Sequence, residues 1–293
     1  MPNETTFDLS QFSEALAGAV AAAGARVVSV KGAGRWAISG VIWRTGLVVT
    51  AHEGLEGDDE FAVTFANGET VKAELLGRDP STDVALLKLA TAEFADWPKA
   101  ATPKAGSIAL AVGRGDNSPV AAFGLVSETG PEWRSMRGGL IDQRIVLGLR
   151  LAGRSEGGAV VAADGSLIGL AVTGPRRRAL AIPATTVERA VAALGAKGYV
   201  ARGYLGVSLH PLAGKGEQGG AIVVAIEPES PAAKAGFVIG DIVTTWNGEP
   251  VHSVYAVSQR LGTDAVGQIV KLGLTRGGSP TELTVTIGER PRA

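Results

Sequence analysis

Few side chains in this sequence can act as a base or a nucleophile near neutral pH, because it contains three histidines and no cysteine. Without cysteine, disulfides, thiol nucleophiles and thiolate metal ligands are all excluded. His210 and His252 stand apart from other candidate groups, and we interpret them as surface residues. Hydrolysis by a serine–histidine pair stays open, since it needs a hydroxyl within hydrogen-bond reach of an imidazole that a carboxylate orients.

Length and composition indicate the number of domains and the kind of fold in which such groups are placed. A chain of 293 residues exceeds the usual size of one domain, so we expect two. Hydrophobic residues make up 45% and charged residues 19%, which is typical of a soluble globular protein. The 41 glycines favour a turn-rich, mostly β architecture. A formal net charge of -1 gives no electrostatic reason to expect nucleic acid or an anionic membrane as partner.

Short apolar runs separated by turns fill the first half of the chain. The pairs Asn67-Gly68 and Asp164-Gly165 each lie between two such runs and predict tight hairpins. Many short strands at this spacing predict a β-barrel or sandwich pair. Residues 183–198 then change to a helical period, and 198–203 is a candidate linker. A smaller unit of about five strands and two helices follows from residue 203, which predicts an α+β domain.

The N-terminal segment predicts a helix. Leu9, Phe12, Leu16 and Val20 would share one helix face, with Asp8 as N-cap. Such a face either packs on its own domain or makes an oligomer contact. The apolar stretch 16–30 is too short and too rich in Ala and Gly to span a bilayer. A natural start at Met1 therefore predicts a cytoplasmic protein, whereas a trimmed sequence predicts a periplasmic one.

The second unit resembles a PDZ domain. The motifs that carry the resemblance are Gly203-Tyr204-Leu205-Gly206-Val207, Pro228-Glu229-Ser230-Pro231-Ala232-Ala233-Lys234-Ala235-Gly236-Phe237, Gly240-Asp241-Ile242-Val243 and Trp246-Asn247-Gly248. The resemblance implies that 204–207 forms the loop that holds a peptide's terminal carboxylate, with the peptide added as a strand beside it. The implied peptide-binding residues are Tyr204, Leu205, Gly206, Val207, Val257 and Leu261. The alternative for the apolar members of this set is that they belong to the core.

The first unit resembles the protease domain of the HtrA/Deg family of trypsin-like serine proteases. The matching motifs are Gly46-Leu47-Val48-Val49-Thr50, Leu55-Glu56-Gly57-Asp58-Asp59-Glu60, the run from Gly77 to Lys88, Gly157-Gly158 and Ala181-Ile182-Pro183. The implied fold class is mainly β: a trypsin-like double β-barrel domain followed by a small α+β PDZ domain. The implied domains are 1–25 as an N-terminal helical segment, 26–198 as the protease-like domain and 203–293 as the PDZ domain.

Ungapped matching to that family places Glu53, Asp83 and Glu156 at the triad positions, so that glutamates stand where histidine and serine are expected. This implies a protein that is not an enzyme but a degenerate serine protease homologue, or pseudoprotease. The alternative triad is His52, Asp83 and Ser155, with both outer residues displaced by one place. A one-residue slip redirects a side chain, so both would have to converge again on Asp83.

Three carboxylates at one site would repel one another unless something neutralises them. A weaker possibility is an oxygen-ligand metal site at Glu53, Asp83 and Glu156. Another is that Glu156 folds into the vacant oxyanion hole and accepts its N–H donors. No cofactor is expected. The run Arg176-Arg177-Arg178 borders the specificity pocket by resemblance, as a solvated charge run or as a site for an acidic peptide segment.

The resemblance implies a non-catalytic HtrA-like homologue that binds peptides or protein C-termini through its PDZ groove, as scaffold or regulator. An active HtrA-type relative is one implied partner. The alternative is an active endopeptidase that uses the displaced triad. A homo-oligomer, by resemblance a trimer, would use Phe7, Phe12 and Leu16. Nucleic acid is not expected as a partner, and neither is a membrane span.

Overall fold

The computed structural model describes residues 8–57, 60–90, 96–98, 102–115, 118–212 and 220–291. The chain forms two compact units, one comprising residues 1–133 and 141–199 and the other residues 134–140 and 200–293. The predicted domain boundaries, including 1–25 and 26–198, stay predictions.

The first unit begins with helix α1 (Leu9–Gly24), and the Asp8 carboxylate caps it by accepting from the N–H groups of Ser10 and Gln11. This confirms the predicted helix and its N-cap. A closed six-stranded barrel follows, formed by β1 (Val27–Lys31), β2 (Ile38–Arg44), β3 (Leu47–Ala51), β4 (Phe61–Thr64), β5 (Thr70–Asp79) and β6 (Val84–Leu89). Its interior is packed with apolar side chains that include Val28, Phe61 and Leu87.

A second closed barrel completes the trypsin-like architecture. The strands from 108 to 183 are β7 (Ile108–Arg114), β8 (Pro119–Gly130), β9 (Trp133–Arg134), β10 (Leu140–Ile141), β11 (Arg144–Leu147), β12 (Ala159–Val161), β13 (Leu167–Thr173) and β14 (Ala179–Pro183), of which β9 and β10 lie outside the barrel. Helix α2 (Ala184–Lys197) then closes the unit and ends at Gly198. The hairpins predicted at Asn67-Gly68 and Asp164-Gly165 connect β4 to β5 and β12 to β13.

The second unit has the predicted strands and two helices. Its elements are β15 (Gly203–Tyr204), β16 (Val207–Leu212), β17 (Gly220–Ile226), α3 (Pro231–Ala235), β18 (Ile242–Trp246), β19 (Glu249–Pro250), α4 (Val254–Arg260), β20 (Ile269–Arg276), β21 (Ser279–Thr286) and β22 (Gly288–Glu289). The sheet runs in the order β16-β17-β18-β20-β21, so β16 is an edge strand among the described residues. The predicted mainly β class, with a double barrel followed by a small α+β unit, is therefore confirmed.

Among the described residues, no helix has both the length and the apolar character that crossing a bilayer requires.

Candidate active-site cleft and peptide groove

Strand pairing brings the segment after β3 against the residue before β6. Ala51 pairs with Val84, so the residues that follow β3 lie beside Asp83. The His52 N–H donates to the Asp83 carbonyl oxygen at 3.2 Å, and the Glu53 N–H donates to Asp83 Oδ1 at 2.7 Å. The Asp83 carboxylate therefore holds position 53 through its main chain.

The backbone of Asp83 is itself unusual. Its φ of 60° lies in the left-handed region, where non-glycine residues are uncommon and carry a cost of about 1 kcal/mol. Such conformations cluster at functional sites, where the surrounding hydrogen bonds hold them in place. The position of Asp83 in this cleft is consistent with that rule.

Glu156 approaches the same region from the second barrel. Its carbonyl oxygen accepts from the Ser39 N–H at 2.9 Å. Its Cγ lies 3.8 Å from the place where a Cβ on Gly54 would stand, which puts it beside the segment that contains Glu53. Glu53, Asp83 and Glu156 therefore lie on neighbouring segments of the first unit.

The turn that carries Glu156 depends on Gly157. This glycine has a φ of 76°, and a Cβ on it would stand 2.3 Å from the Ser39 carbonyl oxygen. Its N–H donates to Ala171 in β13 at 2.8 Å. The close approach of this turn to Ser39 in β2 thus requires glycine here.

The structure does not assemble the displaced triad. Ser155 is only 1% exposed, and its hydroxyl has no hydrogen-bond partner in the described part of the chain. The Nδ1 atom of His52 lies 3.3 Å from Arg78 Nη1, which places that ring nitrogen against a guanidinium group. A hydrogen bond from Ser155 Oγ to His52 is therefore absent within those residues.

The predicted plug of the oxyanion hole is wrong. Glu156 Oε1 instead accepts from the Thr173 N–H at 3.4 Å, at the end of β13. Among the described residues, no group of three His, Cys, Asp or Glu side chains is placed to hold an ion, and the possible metal site at Glu53, Asp83 and Glu156 stays a prediction.

In the second unit, the edge strand β16 and the loop before it are the segments in which the peptide groove is predicted. Gly206 has a φ of 78°, and its carbonyl oxygen accepts from the Glu227 N–H at 2.8 Å. The Leu205 carbonyl oxygen accepts from Ala232 at 2.9 Å. Tyr204 donates its hydroxyl to Glu227, and this carboxylate raises the pKa of the tyrosine. The loop is therefore held at both ends before any peptide binds.

The apolar residues predicted to line the peptide pocket fall into two groups. Leu205 and Val257 belong to the core of this unit, at 2% and 1% exposure. Val207 and Leu261 are partly buried and pack against that core. The core interpretation therefore describes Leu205 and Val257, and Val207 and Leu261 are the members that a ligand can reach.

An ion pair that sequence reasoning missed supports this unit, with a buried carboxylate and a guanidinium group that is 36% exposed. The Asp241 side chain is 0% exposed and binds Arg276 through two hydrogen bonds of 2.8 Å, while Val238 donates its N–H to the same carboxylate at 2.9 Å. The bonds from Arg276 hold the pKa of Asp241 below its usual value. The two residues lie 35 positions apart, so no local pattern marks the pair.

Asp241→Asn should destabilise the protein by about 2 kcal/mol at pH 7, because it removes charge-assisted hydrogen bonds from a buried site. The folded-state pKa of Asp241 is depressed, so its contribution is complete above the unfolded pKa of about 3.9 and is lost as pH falls through the folded value. The gap between parent and variant in urea unfolding should therefore shrink in acid. Glu282→Gln, in an exposed pair with Lys271, is the control and should cost under about 1 kcal/mol. Equal losses from both variants would contradict the assignment.

Comparison with known proteins matches both units. A trypsin-like peptidase domain model matches residues 38–170, and a PDZ domain model matches residues 203–287. The probable periplasmic serine endoprotease DegP-like of Brucella suis biovar 1 (strain 1330) is 32% identical over 273 residues, covering 86% of this chain and 52% of the relative. The periplasmic pH-dependent serine endoprotease DegQ of Escherichia coli (strain K12) is 31% identical over 271 residues, covering 85% of this chain and 58% of the relative. The chain thus spans about half the length of these curated relatives.

Solved structures agree with these matches. The serine endoprotease from Yersinia pestis has a TM-score of 0.73 and 28% identity, covering 94% of this chain and 98% of that one. The HtrA-type protease AlgW with tripeptide has a TM-score of 0.69 and 25% identity, covering 95% of this chain and 98% of that one.

The prediction that this chain is not an enzyme is wrong, because the relatives that it matches are named serine endoproteases. That prediction rested on the residue types at positions 53 and 156 alone. Two residue types do not by themselves establish that a reaction is lost. The similarity to endoproteases, in contrast, extends over both units.

Proposed function

Since this chain belongs to the HtrA/DegP family of trypsin-like proteases with a PDZ domain, we propose that it recognises polypeptides by their C-termini through the groove between β16 and α4. The observation that carries the proposal is the open edge of β16, which pairs only with β17 among the described residues. An extended peptide can add to such an edge through main-chain hydrogen bonds. In this proposal the binding serves a scaffolding or regulatory role.

The loop that ends at Gly206 would receive the terminal carboxylate. Its left-handed glycine and its two anchoring hydrogen bonds fix the backbone before binding, which reduces the entropy that ordering would cost. The named tripeptide complex of AlgW, at 25% identity, supports a peptide as ligand. Tyr204, Leu205, Gly206 and Val207 form this end of the proposed site.

The last side chain of the peptide would lie against Val207 and Leu261, with Leu205 and Val257 as the buried floor beneath them. An apolar terminal residue is therefore expected. The preference follows from burying its side chain against these four groups.

Within the first unit, we propose that Glu53, Asp83 and Glu156 occupy the triad positions of this protease fold. The hydrogen bond of 2.7 Å from the Glu53 N–H to Asp83 Oδ1 and the place of Glu156 beside Gly54 support this. The periplasmic names of the relatives support the periplasmic alternative for location. A homo-oligomer stays a prediction: Phe7 lies outside the described residues, and Phe12 contacts Phe123 of its own chain edge-to-face at 6.4 Å.

The test is titration of the full chain with a fluorescent decapeptide that ends in three apolar residues. The free-acid form should bind about tenfold or more tightly than the amidated form, because only a carboxylate makes charge-assisted hydrogen bonds to the loop. Leu261→Ala should weaken binding, whereas Ile239→Ala, at an exposed apolar side chain on another loop, should not. Equal affinities for acid and amide would refute recognition of the C-terminus.

A further inference from the structure

A small cavity in the first unit lies between β11 and the turn that joins β13 to β14. Its volume is about 210 Å³, and it is lined by Trp133, Arg144, Pro175, Arg176, Arg178 and Leu180. A neighbouring groove of about 590 Å³ shares Arg178 and adds Arg150 and Arg177. Five arginines therefore line these two neighbouring pockets, in a chain whose formal net charge is -1.

Few acidic groups in the described residues neutralise the positive charge of these arginines. Within the described residues, no hydrogen bond or ion pair involves the guanidinium groups of Arg150, Arg176, Arg177 or Arg178. Arg144 pairs with Glu128 at 3.5 Å, and both side chains of that pair are more than 40% exposed (42% and 48%). An exposed pair of this kind contributes little and leaves the local charge strongly positive.

The turn brings the guanidinium groups together in an unfavourable backbone conformation. Arg176 and Arg177 have φ values of 59° and 57°, both in the left-handed region. The turn is closed by the Gly174 N–H, which donates to the Arg178 carbonyl oxygen at 2.8 Å. Backbone strain and repulsion between like charges both raise the free energy of this turn when no ligand is bound.

A second observation comes from the wall of the same cavity. The indole N–H of Trp133 is buried and has no acceptor in the described part of the chain. A buried donor without an acceptor costs about 1–3 kcal/mol. An anionic oxygen bound in this cavity would lie beside Trp133 and would be a suitable acceptor for the guanidinium groups.

We propose that this cavity binds a carboxylate side chain of an acidic peptide segment. Its volume fits one carboxylate and its short side chain, while the groove that continues from Arg178 offers Arg150 and Arg177 to a second acidic residue. The turn begins directly after Thr173, whose N–H donates to the Glu156 carboxylate. The acidic segment would therefore lie beside the proposed triad positions, and the site does not depend on the PDZ groove.

The test uses acetylated, amidated triglutamate and triglutamine peptides, which have no free terminus for the PDZ groove. Triglutamate should bind saturably and change the tryptophan fluorescence of the full chain, with at least about tenfold preference over triglutamine. Trp133→Phe should remove the fluorescence change. Equal binding of the two peptides would overturn the proposal, and so would an equal response to inorganic phosphate at the same concentration.

Two charge-removing variants distinguish binding in the cavity from a general effect of surface charge. Arg178→Gln, at the residue shared by cavity and groove, should weaken triglutamate binding about tenfold or more, measured by calorimetry and with an unchanged melting temperature. Arg35→Gln removes the same charge at an exposed position elsewhere and should change affinity less than about twofold. Equal losses from the two variants would overturn the proposal. If Arg178→Gln lowers the melting temperature, Arg176→Gln is measured in its place against the same criterion.

Discussion

Replacing Glu53 with histidine and Glu156 with serine in one protein should make it hydrolyse casein at least about a hundredfold faster than either single variant. The reason is the geometry of the proposed triad positions. Asp83 Oδ1 already holds the N–H of residue 53, and Glu156 stands beside Gly54. A serine hydroxyl at position 156 and a histidine imidazole at position 53 would then lie near the Asp83 carboxylate. Either one alone would lack its partner, because triad members act as a unit.

The controls for this result are built from the same chain. Adding Asp83→Asn to the double variant should remove most of the gain, since the imidazole loses the carboxylate that orients it. A fluorophosphonate should label position 156 of the double variant. A folded double variant without gain would contradict the assignment of positions. Labelling of Ser155 in the parent, dependent on His52, would instead support the displaced triad.

Gly206→Ala should weaken binding of the free-acid peptide by about a hundredfold or more. A Cβ at this position would stand 2.1 Å from the Ser230 Cβ, and the φ of 78° is unfavourable for alanine. The clash lies between the carboxylate loop and the N-cap of α3, so it can be relieved only by moving the loop. The N–H groups that we propose to hold the terminal carboxylate would then lose their alignment.

Gly248→Ala is the matched control for that variant. Gly248 has a φ of 82° in the same unit, but a Cβ there would meet nothing within 4 Å. It should therefore lower the free energy of unfolding by about 1 kcal/mol and keep the peptide affinity of the parent. Anisotropy titrations of both variants, with melting curves, separate the two effects. Similar affinities of the two variants would contradict the role of the loop.

Much of the fold could be predicted because its signals are local. Asp8 and Ser230 cap the helices that follow them, as their types and positions suggest. The Asn67-Gly68 turn likewise depends on residues adjacent in the chain. The family resemblance also placed Asp83 with position 53, and the pairing of Ala51 with Val84 brings the segment after β3 beside it.

The rest depended on residues far apart in sequence. The hydrogen bond from the Thr173 N–H to Glu156 joins residues 17 positions apart, and no local pattern marks it. The cavity at Trp133 and Arg144 needs the turn around Arg176 to fold over β11. The class of the protein could not be decided from two residue types, and whole-chain similarity to endoproteases corrected that prediction.

Amide hydrogen exchange on strand β16, measured with and without the free-acid peptide, tests the central claim of C-terminal recognition most directly. An added peptide strand would pair with the open edge, so the N–H groups of that edge should exchange at least about tenfold more slowly in the complex. The amidated peptide at the same concentration should give much less protection. Binding of the free acid with no protection at residues 205–209, or with protection confined to the first unit, would contradict the proposed function.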